Sequence, residues 1–350
     1  MNKKVAWSMC RYLLSLILVV IVGVGIFVWW AVGGSLPTRS DLPIEAAKDA
    51  PVLPAPEQLV VASYNIGHGQ GIKENAWDFR DKNVTEQQLT LVADAMVKLN
   101  ADVWLLQEVD INSHRTFRIN QIEFIKERTK HPYHACAMVW EKNYLPFPYW
   151  PPAHHLGYVR AANCILSRYP LSNHHRVIFD KPKANPFWYN WGYIDRGIER
   201  ADVTLGDHTI ALLNVHLEAW DKESRQEQIQ KTVEYINEIK TPIILGGDFN
   251  TVMPDAPKTS GFIDDKDADY AGEKTLPWLF EHVQSINVPK IVSDDPNPFI
   301  RFTFPSNAPD RRLDHIFLLG NSLLFASFRV GFEAGIASDH LPVIAVINYK

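Results

Sequence analysis

Apolar residues form one long uninterrupted run near the N-terminus and then a series of much shorter runs. The long run, residues 12–32, carries no charged side chain over 21 positions, which is long enough to cross a bilayer as a helix. The later runs are only a few residues long and are rich in Val, Ile and Leu, a pattern typical of buried strands. The pattern predicts a membrane-spanning helix followed by a large folded domain.

Within the domain, strand patterns are interrupted by only two strongly helical stretches, residues 85–100 and 222–240. Thr85 and Gln88 form a predicted capping box for the first of these helices. A hairpin with its turn at Gly206-Asp207 is predicted over residues 199–218. The other predicted strands are residues 58–66, 101–109, 162–170, 241–250, 312–320, 323–332 and 342–349.

These elements lack the regular strand–helix alternation of a doubly wound sheet. Two mixed β-sheets packed face to face, with helices on the outside, fit the order better. We therefore predict a four-layer α/β sandwich preceded by one transmembrane helix.

Most of the predicted strands end in a short polar cluster. These clusters are Asn65, Glu108, Asn214 with His216, Asp248 with Asn250, and Asp339 with His340. Because the apolar parts of the strands fill the core, the polar ends can converge at one rim of the sandwich. The sequence therefore predicts a single functional site at that rim.

The flanks of the long apolar run predict its orientation. Residues 1–11 contain three basic side chains, so this segment is expected in the cytoplasm and the large domain outside it. Trp29 and Trp30 stand near the far end, where aromatic rings favour a membrane interface. A cleaved signal peptide is the alternative, although its apolar region is usually only about 7–15 residues long.

Residues 33–57 contain five prolines and predict a semi-rigid linker with little helix or sheet. The domain is then residues 58–350, with 30 basic and 36 acidic side chains. This net negative charge argues against an extensive basic surface for binding nucleic acid, but allows a locally basic cleft. Cys136 and Cys164 either pair in an oxidising compartment or are two buried thiols.

The motifs SYNI, LQEV, NCILSRYP, NVHLE, GGDFN, RLDHIF and SDHLP occur in this order over residues 58–350. Together they resemble the endonuclease/exonuclease/phosphatase superfamily, which includes deoxyribonuclease I-like nucleases, inositol polyphosphate 5-phosphatases and neutral sphingomyelinases. The resemblance implies the four-layer sandwich and a hydrolase that cleaves phosphoesters by in-line attack of water.

The resemblance also implies a divalent metal, Mg²⁺ or alternatively Mn²⁺. Carried over to this sequence, it makes Glu108 the main metal ligand, places Asn65 beside it, and lets Asp314 support the cluster. Hard oxygen ligands of this kind suit magnesium.

The same resemblance implies the catalytic residues. Asp248 would orient or deprotonate the attacking water, and Asn250 would help to position it. His216 and His340 would contact phosphate oxygens and stabilise or protonate the leaving group, while Asp339 would hold a histidine or lie near the metal.

Three further residues are expected at the substrate. Asn214 is implied as a phosphate contact, and Asn163 and Arg196 as substrate-binding residues. For Arg196, a plain salt bridge is an equally good interpretation.

Residues 140–158 and 187–193 are unusually rich in aromatic side chains. These rings either form an exposed apolar platform at a lipid headgroup layer, pack as loop filling against the sandwich, or stack on single-stranded bases. The leading hypothesis is a membrane-anchored, extracytoplasmic hydrolase of a lipid-linked or small phosphoester, near the sphingomyelinase-like members. An extracytoplasmic nuclease and an inactive membrane-tethered binding module are the alternatives.

Overall fold

The computed structural model describes residues 3–72, 81–289 and 298–350. The helices in these ranges are α1 Lys3–Val32, α2 Lys82–Leu99, α3 Gln121–Thr129, α4 Phe187–Asn190, α5 Lys222–Glu238 and α6 Thr275–His282. The strands are β1 Arg39–Asp41, β2 Ile44–Ala46, β3 Leu59–Asn65, β4 Val103–Asp110, β5 Tyr133–Leu145, β6 Gly157–Ser167, β7 Leu171–Ile178, β8 Gly197–Leu205, β9 His208–His216, β10 Ile243–Asp248, β11 Ile286–Asn287, β12 Asp314–Leu319, β13 Leu323–Val330 and β14 Val343–Tyr349.

The strands form two mixed sheets of seven strands each over the described residues. The first has the order β1-β7-β8-β9-β10-β12-β11 and the second β13-β14-β3-β4-β6-β5-β2. Each sheet contains one parallel pair, β9 with β10 and β3 with β4, and its other neighbours are antiparallel. The predicted sandwich class is confirmed.

The interior divides into two hydrophobic clusters. The larger joins the facing sides of both sheets with α2 and α3, and includes Met96, Trp104 and Ile244. The smaller lies between the first sheet and helices α5 and α6, and includes Ile229 and Leu279. Alternate residues of β9 and β10 therefore pack into one cluster and then the other, because successive side chains of a strand point to opposite faces of the sheet.

Every predicted strand exists in the structure, and the hairpin turns at Gly206-Asp207 as expected. The sequence patterns missed the long strand β5, strand β7, and the helices α3 and α6. Strand β5 is only half-buried along its length and ends within the aromatic segment, so its alternation is weak.

The capping box predicted for the first domain helix is wrong. Helix α2 begins three residues earlier, and Asp81 is its N-cap, with a side-chain oxygen that accepts from the Val84 amide at 2.8 Å. Thr85 instead donates to the Asp81 carbonyl, and Gln88 donates to the carbonyls of residues 336 and 337. Gln88 thus ties the helix to the loop before β14.

The expectation of a linker without sheet structure is also wrong for residues 39–46. Strand β1 pairs with β7 at the edge of the first sheet, and β2 pairs with β5 at the edge of the second. Short strands flanked by prolines are suited to sheet edges, because the backbone groups along one side of an edge strand form no hydrogen bonds to another strand. The folded unit therefore begins before residue 58.

Helix α1 has one apolar stretch, Trp7–Val32, that is long and apolar enough to cross a membrane. Its last turns contact β5: the Asn143 side chain donates to the Trp30 carbonyl at 2.8 Å, and the rings of Phe27 and Tyr144 lie 5.9 Å apart. Ala31 is buried by these contacts. The end of α1 is therefore packed against the sandwich.

Cys136 and Cys164 form a disulfide, so the alternative of two buried thiols is not what the structure shows. The two residues are direct partners in the antiparallel ladder between β5 and β6. Directly opposed residues have their Cβ atoms close enough for a bridge, whereas spacing along the sequence cannot reveal this register.

We expect the paired variant Cys136→Ser/Cys164→Ser to lose about 3–4 kcal/mol of unfolding free energy, because the bridge closes a loop with a sequence separation of 28. Chemical denaturation of the full chain in detergent measures this loss. Cys10→Ser, at an exposed cysteine, is the control and should be neutral. The assignment fails if both domain thiols alkylate without reductant and the paired variant is as stable as the parent.

Two glycines in β10, Gly246 and Gly247, carry the strand to the rim. A Cβ at Gly246 would lie 2.7 Å from the Leu105 side chain of the facing sheet. At Gly247, where φ is +149°, a Cβ would lie 1.9 Å from the Val215 carbonyl oxygen of the neighbouring strand. Only glycine allows this close approach of β10 to β9.

We therefore expect Gly247→Ala to cost about 2–4 kcal/mol of stability, since the clash is with backbone that cannot rotate away. Gly34→Ala is the matched control, because a Cβ there meets nothing within 4 Å. Thermal unfolding of both variants checks the difference. Equal stability of the two would contradict this close packing of β10 against β9.

Candidate active site

The predicted polar residues converge at one rim because of how the strands are paired. Asn65 and Glu108 lie at the carboxyl ends of the parallel strands β3 and β4, and His216 and Asp248 at those of β9 and β10. Parallel neighbours end at the same edge of a sheet. The antiparallel strand β12 begins at this rim with Asp314, opposite Asp248.

Glu108 reaches the rim through an irregularity in β4. The ladder between β4 and β6 shifts register between Leu106 and Val109, and Glu108 has a left-handed backbone with φ +57°. A bulge re-aims side chains, and this φ costs a non-glycine residue roughly 1–3 kcal/mol. Its carboxylate lies 3.3 Å from the Asn65 amide nitrogen and 3.9 Å from His216 Nε2.

Asp248 is the buried centre of the cluster. One carboxylate oxygen accepts from the Asn250 amide at 2.9 Å, and the other lies 3.1 Å from Asn65 Nδ2 and 3.5 Å from His216 Nε2. Burial, with Asp314 adding to it, raises the pKa of Asp248 to about 6. A carboxylate with such a pKa is suited to accept a proton near neutral pH.

His340 forms a buried pair with Asp314. Its Nδ1 lies 2.9 Å from a carboxylate oxygen of Asp314, and its Nε2 lies 3.7 Å from Asp248. Burial alone would lower the pKa of His340, but Asp314 and Asp248 outweigh burial and raise it to about 10. The ring is therefore a cation at neutral pH, directed by Asp314.

His216 is neutral, whereas His340 is charged. Its Nε2 lies 2.5 Å from a guanidinium nitrogen of Arg196, which can only donate, so Nε2 accepts and the ring is neutral. Burial and Arg196 lower the pKa of His216 well below its usual value. Among the described residues, no carboxylate forms a salt bridge with Arg196, whose buried Nε also has no partner there. These contacts favour the substrate-binding interpretation of Arg196 over a plain salt bridge.

Two predicted contact residues lie beneath the rim rather than on it. Asn214 is fully buried between the sheets: its amide nitrogen donates to Leu106, Cys164 and Glu199, and its oxygen accepts from Gln107. With both polar groups engaged, it supports β4 and β9 from below. Asn163 is fully buried in β6 across from the Glu108 bulge.

Asp339 and Asn65 line the same rim. Burial raises the pKa of Asp339, although His340 opposes the shift, and Glu108 contributes to the rise. The side-chain oxygen of Asn65 accepts a hydrogen bond from the Gly67 amide at 3.0 Å. A Cβ on Gly67 would lie 2.8 Å from a carboxylate oxygen of Asp339. With φ +52°, Gly67 lets the chain pass close to this carboxylate.

Three residues that were not predicted from the sequence support Glu108: His68 contacts it, and Asp110 and Arg115 contact His68. His68 Nε2 lies 3.0 Å from Glu108, and His68 Nδ1 lies near both Asp110 and Arg115. Arg115 makes two hydrogen bonds to Asp110. Although burial opposes it, His68 holds the pKa of Glu108 well below its usual value. The position of His68, three residues after Asn65, was the signal available in the sequence.

The rim is chemically suited to a divalent cation. Four buried or half-buried carboxylates meet there, and Asp248 and Asp314 present carboxylate oxygens within 4.8 Å of each other. One carboxylate oxygen of Asp314 is buried without a partner among the residues that the structure describes. Hard oxygen donors with uncompensated negative charge fit Mg²⁺ or Mn²⁺ better than zinc. Asn65 presents its Nδ2 to Glu108 at 3.3 Å and to Asp248 at 3.1 Å, so the oxygen donors of the rim are the carboxylates rather than the predicted Asn65.

This fold and this rim define a phosphoester hydrolase or nuclease built on two packed sheets. The sequence profile of the Endonuclease/Exonuclease/phosphatase family matches residues 62–340. The chain belongs to that family.

Solved structures agree on the fold. A family member from Beutenbergia cavernae is 17% identical, with a TM-score of 0.58, over 84% of this chain and 72% of its own. A mannosyl-6-phosphatase from Bacteroides thetaiotaomicron is 16% identical, with a TM-score of 0.53, over 83% and 99%. Humanized D. rerio TDP2 is 15% identical, with a TM-score of 0.52, over 84% and 100%. No curated protein sequence matches this chain.

Proposed function

We propose that the protein is a membrane-anchored, divalent-metal-dependent phosphoester hydrolase that acts outside the cytoplasm on a lipid-linked or small phosphoester. The observation that carries the proposal is the pairing at the rim of a buried carboxylate, Asp248, with His340, whose Nε2 lies 3.7 Å away. Hydrolysis of a phosphoester needs both a partner for the attacking water and a partner for the leaving oxygen.

In this scheme Asp248 orients water and accepts its proton, and the Asn250 amide fixes one oxygen of that carboxylate. Glu108 would hold the cation, with Asp339 and Asp314 as nearby carboxylates, and Asn65 orients Glu108 by donating to it from Nδ2. The cation would neutralise charge on the phosphoryl group. Arg196 binds phosphate oxygens, neutral His216 orients its guanidinium by accepting from it, and His340 donates a proton to the leaving oxygen.

The proposed location has two supports. Basic residues precede the apolar stretch of α1, which favours a cytoplasmic N-terminus. The Cys136–Cys164 bridge suits an oxidising compartment outside the cytoplasm. Protease protection on intact cells tests the orientation: a domain that resists external protease until the membrane is broken would contradict it.

The test of the substrate class compares turnover by the full chain, in detergent with Mg²⁺, of four kinds of phosphoester. They are sphingomyelin, phosphatidylinositols, bis-p-nitrophenyl phosphate and plasmid DNA. We expect turnover of the small diester and at least one lipid, with little nicking of DNA, because the domain is net negative. Robust nicking without turnover of the other compounds would make the protein a nuclease, and turnover of none would make it a binding module.

A further inference from the structure

One cleft of about 1070 Å³ has walls from both the catalytic rim and the apolar helix α1. Its lining includes Glu108 and Arg196 from the rim, and Phe27 and Ala31 from the last turns of α1. A helix that served only as a tether would not need to contribute to this wall. The helix end is instead fixed there by its contacts with Asn143 and Tyr144.

Four exposed aromatic residues also line this cleft, and we name them the aromatic collar: Tyr149, Trp188, Trp191 and Trp220. Their exposed fractions are 62%, 52%, 46% and 72%. Large rings are rarely left in water together without a ligand or an interface to cover them. Tyr and Trp are the side chains that are most stable at the level of lipid headgroups.

The position of the helix end places the cleft beside lipid. The stretch Trp7–Val32 has 26 residues and is about 39 Å long at 1.5 Å per residue. The hydrocarbon core of a bilayer is about 30 Å thick, so Phe27 and Ala31 come near its surface. The molecules present there at high concentration are amphiphiles, whose chains match the helix wall and whose phosphates match the rim.

We infer that the last turns of α1 and the aromatic collar form a subsite for the alkyl chain of an amphiphilic phosphoester, whose phosphate lies at the rim. The inference rests on the proposed function and assigns the substrate an alkyl chain. It makes the membrane helix a part of the substrate site. Phe27 and Trp188 are the residues through which the chain length of the substrate is sensed.

The test uses the full chain in nanodiscs and a series of alkyl p-nitrophenyl phosphates with methyl, butyl and octyl chains. In the parent protein, kcat/KM for the octyl ester should exceed that for the methyl ester at least tenfold, because each buried methylene is favourable. Phe27→Ala and Trp188→Ala should each reduce this ratio at least fivefold, with hydrolysis of the methyl ester unchanged. Ile26→Ala is the matched control on α1, with its side chain 60% exposed, and should keep the parent ratio.

Equal kcat/KM values across the series, or an equal loss in Ile26→Ala and Phe27→Ala, would overturn the subsite. A binding experiment decides the matter even if no ester is hydrolysed, in which case the proposed function fails. Calorimetry against empty nanodiscs should show octylphosphonate binding at least tenfold more tightly than methylphosphonate, with the difference reduced in Phe27→Ala. Equal binding would overturn the inference, as would displacement of octylphosphonate by a single-stranded oligonucleotide that binds more tightly.

Discussion

Asp248→Asn should reduce kcat for bis-p-nitrophenyl phosphate by about 10³-fold or more, because it removes the group that accepts a proton from water. Asn has the same shape, so the contacts of Asp248 with the Asn250 amide and with Asn65 are altered without opening a cavity. The substitution also removes a negative charge that burial and Asp314 destabilise. The fold should therefore survive. Enzyme kinetics measure the loss of kcat, and circular dichroism measures whether the fold is kept.

Asp202→Asn is the control for this variant. Asp202 is also buried, but it pairs with Arg200 in β8 and lies outside the rim cluster. Its substitution should lower the unfolding temperature and leave kcat unchanged. Full activity of Asp248→Asn would show that water is activated by another group.

The pH dependence of the parent protein follows from the same carboxylate. Only deprotonated Asp248 can accept a proton, and its folded-state pKa is raised to about 6. Activity should therefore fall as pH decreases through about 6, or through a lower value when a bound cation favours the charged form. A kcat/KM profile whose acid limb lies well above pH 6 would assign the base to a different residue.

His340→Ala should reduce turnover by about 10²–10⁴-fold for esters with a poor leaving group, since protonation of the leaving oxygen is then most needed. The loss should be much smaller for p-nitrophenyl leaving groups, which depart without a proton. Asp314→Asn should show the same dependence on leaving group with a smaller loss, about 10–100-fold, because Asp314 orients the ring through Nδ1. Kinetics with a series of leaving groups measure this difference.

His131→Gln is the control for the histidine variants. His131 is equally buried, contacts the Ala101 carbonyl and lies outside the rim. It should keep full activity with every leaving group. A loss in His340→Ala that is the same for all leaving groups would make His340 a phosphate contact rather than a proton donor.

Much of the fold and the convergence of the site could be predicted from local patterns. Short apolar runs that end in polar residues identified β3, β4, β9 and β10, because a buried strand and its exposed end differ sharply in polarity. The structure explains the glycine pair before Asp248, because a Cβ at either position would clash with Leu105 or Val215.

Other features depended on contacts between distant residues, which one sequence does not reveal. The Cys136–Cys164 bridge needs the register of β5 and β6, and the buried role of Asn214 needs Glu199 and Gln107 around it. The strands at residues 39–46 are too short for a periodicity and form only because two sheet edges receive them. His68 contacts Glu108 because an irregularity in β4 directs the Glu108 side chain toward it.

The most direct test of the central claim is to strip metal from the full chain with a chelator and to measure hydrolysis as metal is added back. We expect no turnover of bis-p-nitrophenyl phosphate in excess EDTA, and saturable recovery when Mg²⁺ or Mn²⁺ is added. Glu108→Gln, which keeps the shape of the side chain, should need at least about tenfold more metal because it removes the carboxylate charge at the rim. Turnover that persists in EDTA, or equal metal dependence in the parent and in Glu108→Gln, would contradict a metal-dependent site at this rim.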